Sequence, residues 1–576
     1  MRSSKAGFLG YIVAGVAMLS FLGSIARGQA FGASPNILWN FGNGTDGASP
    51  DGLIRDAKGN IYGTTQLGGS YGGTDSSGNN IGGTAFELIP PSASGGTWTE
   101  SILWSFGNGT DGTGPGGQNG QVASGGLIMD AHGNLYGTTA GGGTYARVDQ
   151  NGNPSGGTAF ELTRPSTSGG TWTESILWDF ANGMDGSGPG GPLIMDAGGN
   201  LYGTTGGGGA NNDGTVFELT PPSTVGGSWT ESILWNFNGT NGQSPNSALI
   251  MDAGRNLYGT TGGGGTGGGT VFELTPPSTT EGNWSQSILW KFPPPSNGEP
   301  DGSHPEAGLT MDASGHLYGT TFTGGHYLNI VPNEADNPGG TAFELTPPSK
   351  SGRPWTESVI WNFGNGDGTQ PFAAPIIDSK GNLYGTTFSG GVSGPLGSGT
   401  VFKLTHPSTA RGKWTESVLV DFSLYSVASR PDAAVIMDTS GNLYGTTTEE
   451  GAYGGGTAFQ IPPQTVLEAS PVRLNFGKVD EGKASPPKRV TLRNKGQIAA
   501  VISSVGANAL TQFGQFTIAD DANTCSGETI APMKTCSFEV EFAPTTAGGE
   551  LLGVAGVAYN GASPEIHLQG DAIAKK

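Results

Sequence analysis

One string organises the chain: GNLYGTT at Gly199 to Thr205, which returns with small changes six more times. Its tyrosines, Tyr62, Tyr136, Tyr202, Tyr258, Tyr318, Tyr384 and Tyr444, stand 74, 66, 56, 60, 66 and 60 residues apart. Self-similarity at such a period marks a repeated supersecondary unit with loops of unequal length. Glycine (106) and proline (37) are so abundant that an aperiodic chain of this composition would be read as low-complexity. Here all 12 tryptophans fall inside the repeats, which therefore have large side chains to bury, and the glycines belong to turns.

Each unit reads as four short β-strands, a to d, divided by turn residues. In one unit strand a is PLIMDA (Pro192 to Ala197), strand b is NLYGTT (Asn200 to Thr205), and strand c is GTVFELTPP (Gly214 to Pro222), ended by its prolines. Strand d is SILWNF from Ser232, whose alternation predicts Ile233, Trp235 and Phe237 on one face with Ser232, Leu234 and Asn236 on the other. A glycine turns a into b in six units (Gly59, Gly133, Gly199, Gly315, Gly381, Gly441), and Arg255 takes that place in the remaining one.

Counting copies predicts how the array ends. Strands a, b and c occur seven times, the last between Ala434 and Pro463, with no strand d after them. An orphan strand d, NILWNF, stands at Asn36 before any other repeat element. The orphan fits the vacancy, which predicts an all-β fold: a seven-bladed β-propeller closed by its N-terminal strand over residues 31–464. A straight solenoid has no use for complementary ends. From Val466 the glycine motif stops and alternating strands with polar turns follow, so 465–576 is expected to be an Ig-like β-sandwich.

The GNLYGTT…GGTVFELTPP pattern resembles the GloVer tandem-repeat family of exported bacterial proteins, often grouped under a choice-of-anchor label. That resemblance implies a secreted or surface location and no established activity. The run LNFGKV…VTLRNKG…CSFEVEFAPTTAG…LQG resembles the choice-of-anchor D domain, related to ASH-type Ig-like modules. Asn494 and Gly496 match its N-x-G turn, and Phe542, Pro544 and Gly548 its F-x-P…G segment. Such domains serve as spacers or adhesion modules.

Charged residues are only 13% of the chain and the net charge is −21, so a phosphate backbone would be repelled and no nucleic-acid partner is expected. Residues 1–30 read as an export signal: Arg2 and Lys5, an apolar run from Phe8 to Ile25, then small residues at Ala26 or Ala30. The alternative is an uncleaved anchor; with cleavage the mature chain has no membrane span. Cys525 and Cys536 are the two cysteines, and they suit one disulfide in an oxidising compartment, unpaired buried thiols being the alternative. The protein is therefore expected outside the cytoplasm, at the cell surface, in the periplasm or secreted, as a monomer.

Identical residues in every unit argue for structure rather than chemistry. Seven aspartates after strand a (Asp56, Asp130, Asp196, Asp252, Asp312, Asp378, Asp438) are expected to cap the following turn, and the threonines of YGTT to pair across strands. GNGTDG turns at Gly42 and Gly107 hold oxygen ligands that calcium would use, but the spacing of a calcium loop is missing, so no cofactor is expected. Binding is expected where units differ, at the long b–c loops (66–83, 140–157, 322–340, 388–399), which in a propeller open on one face with the d–a loops. The candidate ligand-binding residues are Tyr71, Asp75, Tyr145, Arg147, Asp149, His304, His326, Tyr327, Glu334 and Asp336. Their aromatic and polar groups suit a surface glycan or a protein. Six histidines without metal spacing, and no G-x-S-x-G elbow, offer no catalytic residue, although a propeller lyase, glycosidase or lactonase would gather its groups from distant blades.

Overall fold

The computed structural model describes residues 34–575, except 72, 75–79, 94, 108–125, 146, 149–153, 168, 225, 280–281, 295–300, 326–338, 351, 365, 394–396, 410–411, 425–426, 464, 466, 497, 510–514, 520–521, 560–563 and 565. The described chain is all-β and falls into two compact units, Ser34–Ile461 and Pro462–Lys576. The export signal expected at 1–30 lies outside the described residues. No helix long and apolar enough to cross a membrane occurs among the described residues.

Ser34–Ile461 holds seven antiparallel sheets of the expected a-b-c-d order, numbered here 1 to 7 along the chain, at 48–105, 128–179, 187–236, 250–291, 310–362, 376–421 and 436–461. Sheet 3 has an extra short strand, Ser187–Pro189, beside strand b. Sheet 7 takes its fourth strand from the opposite end of the chain: Asn36–Asn40 pairs with Thr457–Ile461, Asn36 opposite Gln460 and Asn40 opposite Thr457. Each sheet buries apolar side chains against the next, and the series returns to its start. Tyr444 and Phe41 of sheet 7 share a core with Leu53 and Phe86 of sheet 1.

Strand d departs from strict alternation, for a reason that concerns packing. In all seven sheets a β-bulge lies between the Ile or Val and the Trp, or Val420 in sheet 6. In sheet 3, Phe217 pairs with Ile233 and Val216 with Trp235, leaving Leu234 as the extra residue. Ile233 then packs toward sheet 2, while Trp235 and Phe237 pack toward sheet 4. The expected common face for Ile233, Trp235 and Phe237 is thus corrected: the bulge lets one strand feed both interfaces.

Every letter of YGTT has a separate task. The tyrosine hydroxyl donates to the aspartate after strand a in all seven sheets, at 3.1–3.5 Å. The glycine lies under the phenylalanine of strand c; a Cβ on Gly203 would stand 2.6 Å from Cζ of Phe217. The first threonine reaches the next sheet: Thr204 donates to Ser247 O, Thr260 to Ala307 O, Thr386 to Ala433 O and Thr446 to Asp51 O. The second pairs across strands, Thr205 Oγ1 lying 2.8 Å from Thr215 Oγ1, with the same contact in the other six sheets. The aspartates cap the a–b turns: Asp196 Oδ1 accepts from the amides of Gly198 and Asn200. Burial would raise the Asp196 carboxyl, but these bonds and that of the Asn200 side chain outweigh it and hold it below its usual range.

Pro462–Lys576 consists of two sheets over one core. Leu467–Ser470, Lys488–Asn494, Thr535–Phe542 and Phe516–Ile518 form one. Arg473–Asp480, Ile566–Ile573, Gly549–Tyr559, Ala500–Ala509 and Thr529–Ile530 form the other, its first pair parallel. Cys525 and Cys536 form a disulfide. Asn494, fully buried, donates to the carbonyls of Ile498 and Ile530 and accepts from the Gly496 amide, so the N-x-G turn ties three segments together.

Candidate functional site

The joints between sheets contain a strained position. Four residues after the aspartate or asparagine of the d–a loop in sheets 1, 3, 4, 5 and 6 comes a proline, and so does Pro431 in sheet 7. The residue before each proline has a left-handed backbone: Ser49, Gly188, Ser244, His304, Gln370 and Arg430, with φ of 54°, 61°, 53°, 55°, 59° and 58°. Side chains disfavour this region, and a following proline disfavours helical backbone further. The strain is held by the neighbouring sheet. Each of these amides donates to a carbonyl at the start of the preceding sheet's strand c, as Arg430 N does to Ser398 O at 2.9 Å and His304 N to Gly268 O at 2.8 Å. Because backbone bonds fix the joint, its side chains are free to differ, and they do.

Three positions vary together: the left-handed residue, the one after the proline, and the one after YGTT. In sheets 3 and 4 they are small or amide, including Gly188, Gly206, Asn246 and Gly262. In sheets 5 and 6 the residue after YGTT is aromatic, Phe322 and Phe388, and so is Phe372 after the proline of sheet 6. Phe372 lies on Phe322 with ring centroids 4.4 Å apart, and Phe388 meets Phe372 edge-on at 5.5 Å. Arg430 of sheet 7 stands over Phe388, 5.2 Å from its centroid, and pairs with Glu449. The guanidinium is thus held between an aromatic face and a carboxylate. The Phe322 amide donates to His304 O, while the Glu306 carboxyl group lies against Gly262 of sheet 4. Burial lowers the His304 imidazole and raises the Glu306 carboxyl, so both favour their neutral forms.

Beside this arc sit two buried aspartates from the same position of sheets 7 and 1, Asp432 at 2% exposure and Asp51 at 1%. Burial, and then the charge of Asp51, push Asp432 well above the usual carboxylate range. Asp432 Oδ1 has no hydrogen-bond partner.

The residues singled out from sequence distribute unevenly. Tyr71 and Tyr145 are exposed, at 49% and 41%, on the b–c loops of sheets 1 and 2. Those loops carry two-residue hairpins, Gly73–Thr74 with Asn80–Ile81 and Arg147–Val148 with Pro154–Ser155, so Arg147 lies on the second. His304 joins the strained arc, its Nδ1 3.2 Å from Thr323 Oγ1. Asp75, Asp149, His326, Tyr327, Glu334 and Asp336 lie outside the described residues. Sequence reading missed Phe322, Phe372, Phe388 and Arg430. The signal was present as FTGG and FSGG after YGTT where sheets 3 and 4 have GGGG.

One other feature is closed by its own contacts. Arg255, the one non-glycine a–b turn residue, reaches back to Asp196 Oδ2 at 2.9 Å and Tyr202 Oη at 2.7 Å in sheet 3. It borders an open groove of about 910 Å³ lined also by Trp235, Pro277 and Trp284. Among the described residues no group of three or more His, Cys, Asp or Glu side chains is placed to hold a metal.

This arrangement defines an all-β protein of repeated four-stranded antiparallel sheets with a second β unit. The Gloeobacter/Verrucomicrobia repeat model matches residues 145–329 and 324–525, and the chain belongs to that family. No curated protein matches the chain. Among solved structures it is similar to a putative oxidoreductase (glucose dehydrogenase) of Thermus thermophilus, at 13% identity and TM-score 0.32 over 58% of this chain and 94% of that one. A luciferin-regenerating enzyme matches at 13% and 0.32 over 68% and 100%. Drosophila semaphorin 1a, extracellular domains 1–2, matches at 10% and 0.36 over 74% and 88%.

Proposed function

We propose that this is an exported, non-catalytic binding protein whose Ser34–Ile461 unit is a seven-bladed β-propeller closed by the Asn36–Asn40 strand. In this reading Pro462–Lys576 is an Ig-like spacer or adhesion module of the choice-of-anchor D kind, and the protein acts as a monomer. The pairing of Asn36–Asn40 with Thr457–Ile461 and the core shared by sheets 7 and 1 support closure. The disulfide is compatible with export.

The ligand is a surface glycan or protein held at the b–c and d–a loops, and the observation that carries this is the arc of Phe322, Phe372, Phe388 and Arg430. It breaks the repeat in four places at once. Aromatic faces stack on the apolar faces of sugar rings or on protein side chains, and Arg430, Glu449 and His304 supply directional bonds. A glycan array with the full chain, followed by titration of any hit, tests it. Phe372→Ala is expected to weaken binding about tenfold or more while leaving the melting temperature within a few degrees. Unchanged binding would remove the arc from the site.

A second reading, a secreted enzyme acting on polysaccharide, draws on Asp51 and Asp432, two buried carboxylates of which Asp432 is raised by burial and then by the charge of Asp51. Product formed from a bound glycan and lost in Asp432→Asn would favour it.

A further inference from the structure

A second set of groups recurs between sheets and takes no part in the arc. A tryptophan from strand d of one sheet, an aspartate from the loop that follows it, and a glutamate from strand d of the next sheet meet at one interface. Trp178 Nε1 donates to Asp185 Oδ2 at 3.3 Å, and Trp361 Nε1 to Asp367 Oδ2 at 2.8 Å. Asp46, Asp185 and Asp367 are all buried. From the next sheet Glu100 lies near enough to Asp46 for their charges to interact, as Glu231 does to Asp185, Glu357 to Asp301 and Glu416 to Asp367. Oε1 of each of these four glutamates is buried without a hydrogen-bond partner, and so are Asp46 Oδ2 and Asp185 Oδ1. Among the described residues no Lys, Arg or His forms an ion pair with Asp46, Asp185 or any of the four glutamates.

The array contains its own controls. Between sheets 3 and 4 both acids become amides, Asn241 and Gln286, and Gln286 Nε2 donates to the backbone carbonyl of Asn241 at 3.1 Å. Between sheets 6 and 7 the tryptophan and aspartate positions are Val420 and Val427, and the glutamate position, four residues before Trp39, is Pro35. The two acids are present together or replaced together. Where a neutral amide stands in, it supplies a proton donor. A buried pair of neighbouring carboxylates without a cation lacks such a donor unless it holds a proton.

We propose that each of these Asp–Glu pairs holds one proton in the folded chain, so that the joints between sheets are proton-held and loosen as that proton is lost. Burial first, and the neighbouring aspartate second, push Glu100, Glu231 and Glu357 up to about 8, and Glu416 well above its ordinary value of 4.5. The folded chain therefore keeps protons that the unfolded chain has already released. Stability from these groups is full below about pH 4.5, falls as pH rises through the window to about 8, and is level above it.

Thermal melts of the full chain between pH 5 and pH 9 test this. The melting temperature of the unaltered protein should fall across the window. The double substitution Asp185→Asn with Glu231→Gln, which copies the amide pair between sheets 3 and 4, should reduce the proton difference on unfolding by about one. Infrared spectra of the unaltered protein at pH 6 should show protonated carboxyl stretching that fades by pH 9, a readout independent of whether the variant folds. An unchanged pH slope in a folded double variant, or no protonated carboxyl band at pH 6, overturns the proposal. So does restoration of the pH 9 melting temperature by calcium or magnesium in the unaltered protein alone, which would make the pairs cation sites.

Discussion

Gly203 lies flat beneath the ring of Phe217, so close that a Cβ on the glycine would stand 2.6 Å from Cζ and 2.9 Å from the Leu193 side chain. Both neighbours are buried and packed into the interface with sheet 2. Gly203→Ala is therefore expected to lower stability by about 1–3 kcal/mol through overpacking, with no φ penalty to confuse the reading. Thermal melts of Gly203→Ala beside Gly199→Ala, which meets only Pro221 Cγ at 3.8 Å but has φ 84°, separate crowding from backbone strain.

Thr260 donates to Ala307 O of the next sheet at 2.7 Å and shares a bond with Ser247 Oγ at 2.8 Å. Thr260→Val strands that carbonyl in a dry interface, and a loss of about 1–3 kcal/mol is expected. Thr138 holds the same place in sheet 2, but its Oγ1 is buried without a partner. Thr138→Val should be neutral or stabilising. Equal effects at the two sites would sink the stitching argument.

Deleting residues 36–41 removes Phe41, which is fully buried, and bares the edge Thr457–Ile461. An unpaired edge of alternating residues recruits other chains. The expected result is a shift to larger species than the unaltered chain in size-exclusion chromatography, with faster amide exchange at 457–461. A truncated chain that elutes like the unaltered one with unchanged exchange would count against closure.

Cys525 and Cys536, 11 positions apart, close a short loop within the second unit. Replacing both by alanine should lower that unit's stability by about 3 kcal/mol, read as denaturant midpoint in 465–576 by amide exchange. Strands of Ser34–Ile461 should exchange as before.

Much of the fold was legible because the repeat announces it. Four apolar runs per unit, a turn residue between each pair and complementary chain ends follow from periodicity, since each strand must bury a face and each edge needs a partner. The roles of the aspartates and of the second threonine in YGTT were legible for the same reason: residues demanded by every unit serve what every unit shares. The bulge in strand d was not, because alternation is a local pattern and the bulge answers two neighbours at once. Nothing in SILWNF alone says that Ile233 belongs to one interface and Trp235 to the other.

The site divides along the same line. By itself the sequence determined that function belongs where units differ, and it named Tyr71, Tyr145 and His304 on the loops. Only the tertiary structure decided which differences meet. Phe322, Phe372, Phe388 and Arg430 are spread over 109 positions of the chain numbering, and they touch because the residues around each joint's proline pack back on the sheet before it. The pairing of Asp185 with Glu231 has the same origin, since a loop leaving sheet 2 and a strand of sheet 3 meet only once the sheets are packed.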